Sequence, residues 1–429
     1  MKRFFLIYLL PAGLINLGNV FAFLFQLTII RSLPVADVGA FNAIFALINV
    51  IAAPAAVLPL GIARTMITTT HTEGAAGHIV SQSALWGLAI SVAAIAAGAL
   101  LIEPLRDLLE IAQPVTAMLA LLLLCSILLS SIAIGWLQGS LRYISSSLAM
   151  ASIPGLRLVF GLWLVVLWSG GINAAVAATA IPGLVVFTAG VISFRSVAHG
   201  GRASFPQETW RDFWRFMVSS SASSFLLLGF WNLDVVTVRS IFSPEESGLY
   251  AVAALLGRIP FLLSIAVTSM LFSETTRSAL DRSSSESAPR RVLAQNFALA
   301  TALGLLAATL ISLFAERILV MFAGPVYAAS TPMLQVLSFA MALLALLQVL
   351  VTYMLARNQH RVLFLLAAGL IGFLSLAGLH ADSPLDVVHY LDGAVGTLIV
   401  ACLLLIFLKP VTAPGNVTLT TRGQDETAL

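Results

Sequence analysis

Along most of the chain, apolar residues run on without alternation for about 20 positions at a time, and a short polar or basic break closes each run. That is the length an α-helix needs to cross the hydrocarbon core of a bilayer, so the pattern predicts membrane-spanning helices. Read this way, the chain offers about twelve, at roughly 5–30, 39–62, 82–102, 115–138, 148–168, 172–193, 217–238, 248–271, 292–314, 332–355, 361–379 and 390–408. A transmembrane barrel is excluded because its strands alternate over about 10 residues, and helices satisfy every backbone polar group without water. Lys2 and Arg3 look like the start of a secretory signal, but the apolar run behind them continues to Ile30 and is read as a retained span.

The pattern also repeats. After the first predicted span the chain reads RSLPVADVGAFNA, and after the seventh RSIFSPEESGLYAV. Arg31-Ser32 thus matches Arg239-Ser240, and with one inserted residue Gly39 and Phe41 match Gly248 and Tyr250. The fourth and tenth spans each open at a proline, Pro114 and Pro332, and end in a basic turn. An even number of spans separates the copies, so both halves have the same orientation and are related by an axis along the membrane normal. The expected fold is all-α, two six-helix bundles related by a parallel pseudo-two-fold axis. Its expected parts are an N-terminal bundle over 1–194, a basic cytoplasmic linker over 195–216, a C-terminal bundle over 217–409 and a disordered cytoplasmic tail over 410–429. Two such bundles facing each other across a cleft is transporter architecture.

Composition agrees with the pattern: 59% of the 429 residues are hydrophobic and 10% charged, with a mean hydropathy of +1.01. Charge sets the orientation, because Lys and Arg are retained on the cytoplasmic side. With both termini cytoplasmic, Arg31, Arg106, Arg239 and Arg317 are the only lysines or arginines between spans on the far side. The pI near 9.1 then reports orientation and not nucleic-acid binding. Cys125 and Cys402 lie far apart in separate spans, which gives a disulfide or a metal cluster no support. The two lysines, Lys2 and Lys409, stand in no phosphate-loop motif, and no HExxH is present. No break is long enough to hold a soluble catalytic domain, so neither an enzyme nor a cofactor is expected.

Ionisable groups at bilayer depth cost about 2.5–3.5 kcal/mol on insertion scales and mark candidate sites. Arg157 and Arg258 each fall about ten residues into a span, and Asp234 lies toward the outer end of the seventh. An arginine there suits phosphate, which its planar fork binds bidentately; the other reading is an internal ion pair of Asp234 with one arginine. Asn16, Asn19 and Gln26 form one stripe on the first span, and Asn42 and Asn49 another on the second. Such amides either bond sugar hydroxyls in a wet cavity or bond a neighbouring helix. Arg64 closes the second span at the cytoplasmic face, where it meets an arriving phosphate or anchors the helix. Arg31 and Arg239 have acidic neighbours in Asp37, Glu245 and Glu246, and pairing with them is expected.

Four segments carry a family resemblance: NLDVVTVRSIFSPEESGLYAVAALLGRIPFL at 232–262, RSLPVADVGAFNA at 31–43, LQGSLRY at 137–143 and FAGPVYAASTPMLQVLSF at 322–339. They resemble the polysaccharide transporter family, the O-antigen and exopolysaccharide flippases of the multidrug, oligosaccharidyl-lipid and polysaccharide exporter superfamily. The resemblance implies that a polyprenyl-diphosphate-linked oligosaccharide crosses a bacterial inner membrane by alternating access, with Arg157, Arg258 and Arg64 opposing the diphosphate. It also implies ion coupling, for which Asp234 is the candidate, and partners among membrane lipid and glycan polymerase or other assembly proteins. A cation-coupled multidrug exporter and a non-transporting scaffold of a glycan-assembly complex stand as alternatives.

Overall fold

In a computed structural model, residues 10–69, 75–100, 102–111, 113–199, 207–264, 287–357 and 359–408 are described. The extreme N-terminus, most of the break at 273–291 and the tail from 410 lie outside them. The described helices are α1 (Leu10–Ser32), α2 (Val35–Ile51), α3 (Ala53–Thr68), α4 (Ala75–Leu100), α5 (Ile102–Leu109), α6 (Pro114–Gly139), α7 (Tyr143–Gly161) and α8 (Gly171–His199). They continue as α9 (Gln207–Ile241), α10 (Pro244–Gly257), α11 (Ser287–Leu313), α12 (Ala315–Phe322), α13 (Thr331–Ala356), α14 (Arg361–His380) and α15 (Pro384–Leu408). Eleven of these elements are long and apolar enough to span a bilayer, and twelve if α2 and α3 are one span. Each falls on one of the twelve predicted runs. Large apolar side chains are exposed along the spanning helices, Phe364 at 80% and Leu379 at 77% among them, which makes this a multi-pass membrane protein whose solvent is lipid.

Three local features depart from the sequence pattern. The second span is bent by 43° between α2 and α3. The break falls at Ala52, two residues before Pro54, which sits in the first turn of α3 where its missing N–H costs nothing. Most of the expected 195–216 linker is helical, since α8 runs to His199 and α9 starts at Gln207. Arg195, Arg211 and Arg215 therefore extend helices past the apolar run, where basic side chains reach the interface. Two breaks also hold short amphipathic helices, α5 and α12, each eight residues long.

The packing repeats. In the first half α1 lies on α7, α6 on α8, α3 on α6, α4 on α6 and α7 on α8. In the second half α9 lies on α14, α13 on α15, α10 on α13, α11 on α13 and α14 on α15, which is the same scheme span for span. The halves meet through α2 and α3 against α9, and α2 against α10. Gly39 and Gly248, the glycines matched in the repeat, touch there: a Cβ on Gly39 would come 2.6 Å from the Gly248 nitrogen, and one on Gly248 would overlap the Val35 carbonyl. Only hydrogen at both positions lets the helix backbones approach this closely.

A reciprocal pair of contacts surrounds that crossing. The Arg31 guanidinium, at the end of α1, donates to the carbonyls of Met321 (2.6 Å) and Phe322 (2.9 Å) at the C-terminus of α12 in the other half. Arg239, at the end of α9, donates to Leu109 (2.9 Å) and Glu110 (3.1 Å) at the C-terminus of α5 in the first half. Both short helices end in left-handed backbone, Glu110 at φ 48° and Gly324 at φ 110°, which turns the chain away and leaves those carbonyls open. Among the described residues no ion pair joins Arg31 or Arg239 to Asp37, Glu245 or Glu246, although Asp37 and Glu245 lie within electrostatic reach of Arg239. Each guanidinium instead takes two orphan carbonyls at the negative end of a helix dipole. Glu246 instead closes a capping box with Ser243 at the start of α10.

One hydrophobic core runs through both halves, from Phe25, Ile29 and Phe41 to Tyr250, Leu347 and Leu391. A second, around Ile62, Ile132, Trp136 and Phe187, belongs to the first half and lies toward the end that carries Arg64. The continuous core thus joins the halves around the Arg31/Arg239 end, while toward the Arg64 end α9 of the second half packs on α3 through Phe213 and Met217.

Candidate substrate and ion sites within the bundle

The repeat register places Asp234 opposite Gln26, Tyr250 opposite Phe41, and Arg258 opposite Asn49. In the second half these three residues form a closed cluster. Asp234 is fully buried on α9; its carboxylate accepts from the Tyr250 hydroxyl at 3.0 Å and from Arg258 Nη2 at 3.3 Å. Arg258 stands at the C-terminal cap of α10, where it also donates to the Trp231 carbonyl at 2.6 Å and lies 5.2 Å from the Trp231 ring centre. The internal ion pair is therefore the reading realised for Asp234 and Arg258, and both partners belong to the second half. Tyr250 is a site residue that the sequence reading used only as a repeat marker.

The matching place in the first half is incomplete. Phe41 has no hydroxyl, Asn49 donates back to the Phe45 carbonyl of its own helix, and the buried Gln26 Oε1 has no partner among the described residues. Into this corner α7 brings Arg157. Its guanidinium lies 5.5 Å from the Phe45 ring centre, its buried Nε has no acceptor, and no carboxylate pairs with it among the described residues. Gly155 and Gly161 make the approach possible, because a Cβ at either would press on Phe21 or Phe25 of α1. The two membrane arginines are thus unlike: one is neutralised, the other carries a free charge beside an aromatic face.

The remaining amides do little between helices. Asn16 and Asn42, like Asn49, donate to the carbonyl four residues back, at 2.9 Å each, and Asn19 is exposed. Neither of the two expected uses accounts for these donors, since a turn of the same helix satisfies them first. Arg64 is exposed at the end of α3 and lies 5.3 Å from the Phe216 ring centre on α9.

Asp392 is the residue the sequence reading missed. It sits two turns into α15, half-buried, with its Oδ1 enclosed and without a partner among the described residues, and within electrostatic reach of the Tyr250 hydroxyl. The last span was expected to begin at about 390, which would have left Asp392 in an interfacial turn. Ser383 and Asp386 cap the helix earlier and carry Asp392 inward.

Solved structures decide the fold. An inward-facing multidrug resistance MATE family transporter of the MOP superfamily superposes with a TM-score of 0.73 at 16% identity, over 92% of this chain and 96% of its own. The chain shares the fold of that transporter. An outward-facing structure of the same kind of transporter gives 0.65 at 16% identity, over 92% of each chain. A MOP transporter from Pyrococcus furiosus, described as having a binding pocket of reversed polarity that suggests a different function, gives 0.59 at 18% identity, over 94% of this chain and 95% of its own. No family model and no curated protein matches the sequence. The shared fold accounts for the two-bundle arrangement, and the solved structures that carry it are transporters.

Proposed function

We propose that this chain is a flippase of lipid-linked oligosaccharides, carrying a polyprenyl-diphosphate-linked glycan across a bacterial cytoplasmic membrane by alternating access for surface or exopolysaccharide synthesis. The observation that carries this reading is the guanidinium of Arg157, which lies beside the Phe45 ring and pairs with no carboxylate among the described residues; the orphaned Gln26 Oε1 on α1 is a second open group. A permanent cation without a counter-ion at membrane depth is costly and is relieved by an anionic ligand. A diphosphate fits its bidentate fork, and a glycan supplies hydroxyls for an open amide. By the distribution of basic residues, the Arg64 end is cytoplasmic, as are both termini.

The sealed Arg31/Arg239 end and the better superposition on an inward-facing transporter support a state open toward the cytoplasm. Transport then requires both arginines to leave their helix ends while the halves rock about the Gly39–Gly248 crossing. Coupling to an ion gradient falls more naturally to Asp392 than to Asp234. The Asp234 carboxylate is held by Tyr250 and Arg258, whereas Asp392 has an oxygen to offer. Polymerase and other assembly proteins are the expected partners.

A second reading, a cation-coupled multidrug exporter, is favoured by the description of the first structural neighbours. Arg157 repels cationic drugs and opposes it. Reconstituted full-length protein separates the two. Arg157→Gln should reduce movement of a fluorescent polyprenyl-diphosphate glycan at least tenfold, with Arg157→Lys intermediate. Ethidium export by the unaltered protein, with no glycan movement, would select the exporter. Movement of neither, with retained binding of a glycan polymerase, would select a scaffold.

A further inference from the structure

The two arginine caps are alike in form and unlike in what it takes to open them. Arg31 is exposed, so water takes up its donors as they leave Met321 and Phe322. Arg239 is 3% exposed, and a buried guanidinium that leaves the Leu109 and Glu110 carbonyls without a replacement becomes an uncompensated charge. This end therefore opens only if Arg239 has a second partner.

The sealed cap is itself incomplete. Arg239 uses Nε and Nη2 on the two carbonyls, while Nη1 is buried and has no acceptor among the described residues. Three carboxylates lie within electrostatic reach, those of Glu110, Asp37 and Glu245, and none is close enough to form an ion pair. They differ in which half carries them. Glu110, just past α5, and Asp37, on α2, belong to the first half and attract Arg239 across the interface. Glu245, in the first turn of α10, belongs to the second half and moves with Arg239.

Of the two acids in that turn, Glu246 is committed to the capping box with Ser243, and Glu245 is exposed and forms no ion pair among the described residues. The repeat places this acid only in the half that needs it. α2 and α10 start after the matched N-caps Pro34 and Ser243, and in that register Ala36 occupies the place of Glu245. The exposed arginine has no such acid beside it, and the buried one has.

The geometry points to Glu245 as the second seat of Arg239. As the halves part at this end, the guanidinium leaves the α5 carbonyls of the first half and closes an ion pair with Glu245 of its own. Arg239 and Glu245 thus form a two-position latch, in which Glu110 and Asp37 favour the sealed state and Glu245 the open one. The latch rests on the alternating access of the proposed function and not on its substrate.

Double electron–electron resonance on full-length protein in nanodiscs reads the two positions, with spin labels at Leu100 and Leu379, exposed where α4 and α14 end on this side. Arg31→Ala, which frees the exposed cap, is the background, so that both separations are populated. Glu245 is exposed, so its variants keep the fold. Glu245→Gln should cut the longer-separation population about fivefold, the weight of one charge-assisted hydrogen bond. Glu245→Asp should keep most of that population, and Asp37→Asn with Glu110→Gln should enlarge it. Once Arg239→Ala is added, Glu245→Gln should have no further effect, a dependence that a merely structural role of Glu245 does not produce. A population unchanged by Glu245→Gln, or lowered equally with and without Arg239, would overturn the latch and leave alternating access standing. A single separation in every variant, Arg239→Ala included, would overturn alternating access with it.

Discussion

Two arginines enter the membrane interior, and removing them has opposite effects on stability. Arg258 is the only cation paired with the fully buried Asp234 among the described residues. Arg258→Met leaves a carboxylate without counter-charge, at a cost of about 3–5 kcal/mol. Arg157 has no such partner, so Arg157→Met removes an uncompensated charge and should stabilise the protein by about 1 kcal/mol or more while abolishing glycan movement. Thermal unfolding in one detergent should move the two midpoints in opposite directions; a fall in both would mean that Arg157 has a structural partner. Asp234, Arg157 and Arg258 were legible in the sequence because charged residues are rare within apolar runs. Which arginine is neutralised was not, since that depends on Tyr250 and Trp231 converging from separate helices. Asp392 escaped because Ser383 and Asp386 start the helix nearly two turns earlier than the apolar run suggests.

At the level of elements, the spanning helices announce themselves by length, and the short ones do not. α5 and α12 carry their apolar face over eight residues, below the length of any spanning window, and so read as loops. Their C-terminal carbonyls are completed from the other half of the chain. Arg239 is buried, and Arg239→Ala strands the carbonyls of Leu109 and Glu110 at a cost of about 1–3 kcal/mol; Arg31 is exposed, and water replaces most of what Arg31→Ala removes. Hydrogen exchange makes this local. Amides of α5 should exchange faster in Arg239→Ala and those of α12 faster in Arg31→Ala, and a uniform rise in both would contradict the assignment. The bend between α2 and α3 was half legible: Pro54 marks a weak point, but prolines within other spans, such as Pro182 in α8, leave their helices unbroken, and packing decides between the cases.

For the whole molecule, the two caps and the Gly39–Gly248 crossing hold one end shut. With Arg31 and Arg239 both replaced by alanine, the state open at that end should gain population. Spin labels at the exposed, matched positions Ser32 and Ser240 would report longer separations, whereas an unchanged distribution would remove the caps from the gating mechanism. The repeat itself was visible in a few letters, Arg-Ser and a glycine before an aromatic residue. Their meeting at the axis was not, because sequence similarity says which positions correspond and nothing about which touch. The reciprocity of the caps bears on origin. Each half offers an arginine and receives one, through the same surface, which is the signature of an isologous interface. An ancestral six-span polypeptide bearing one arginine, one short helix and one glycine would have closed both contacts by pairing with an identical copy. Gene fusion would have required no new chemistry, only a connection between the subunits. The buried Arg239 and the exposed Arg31 then record how far two once-equivalent protomers have diverged since they were joined.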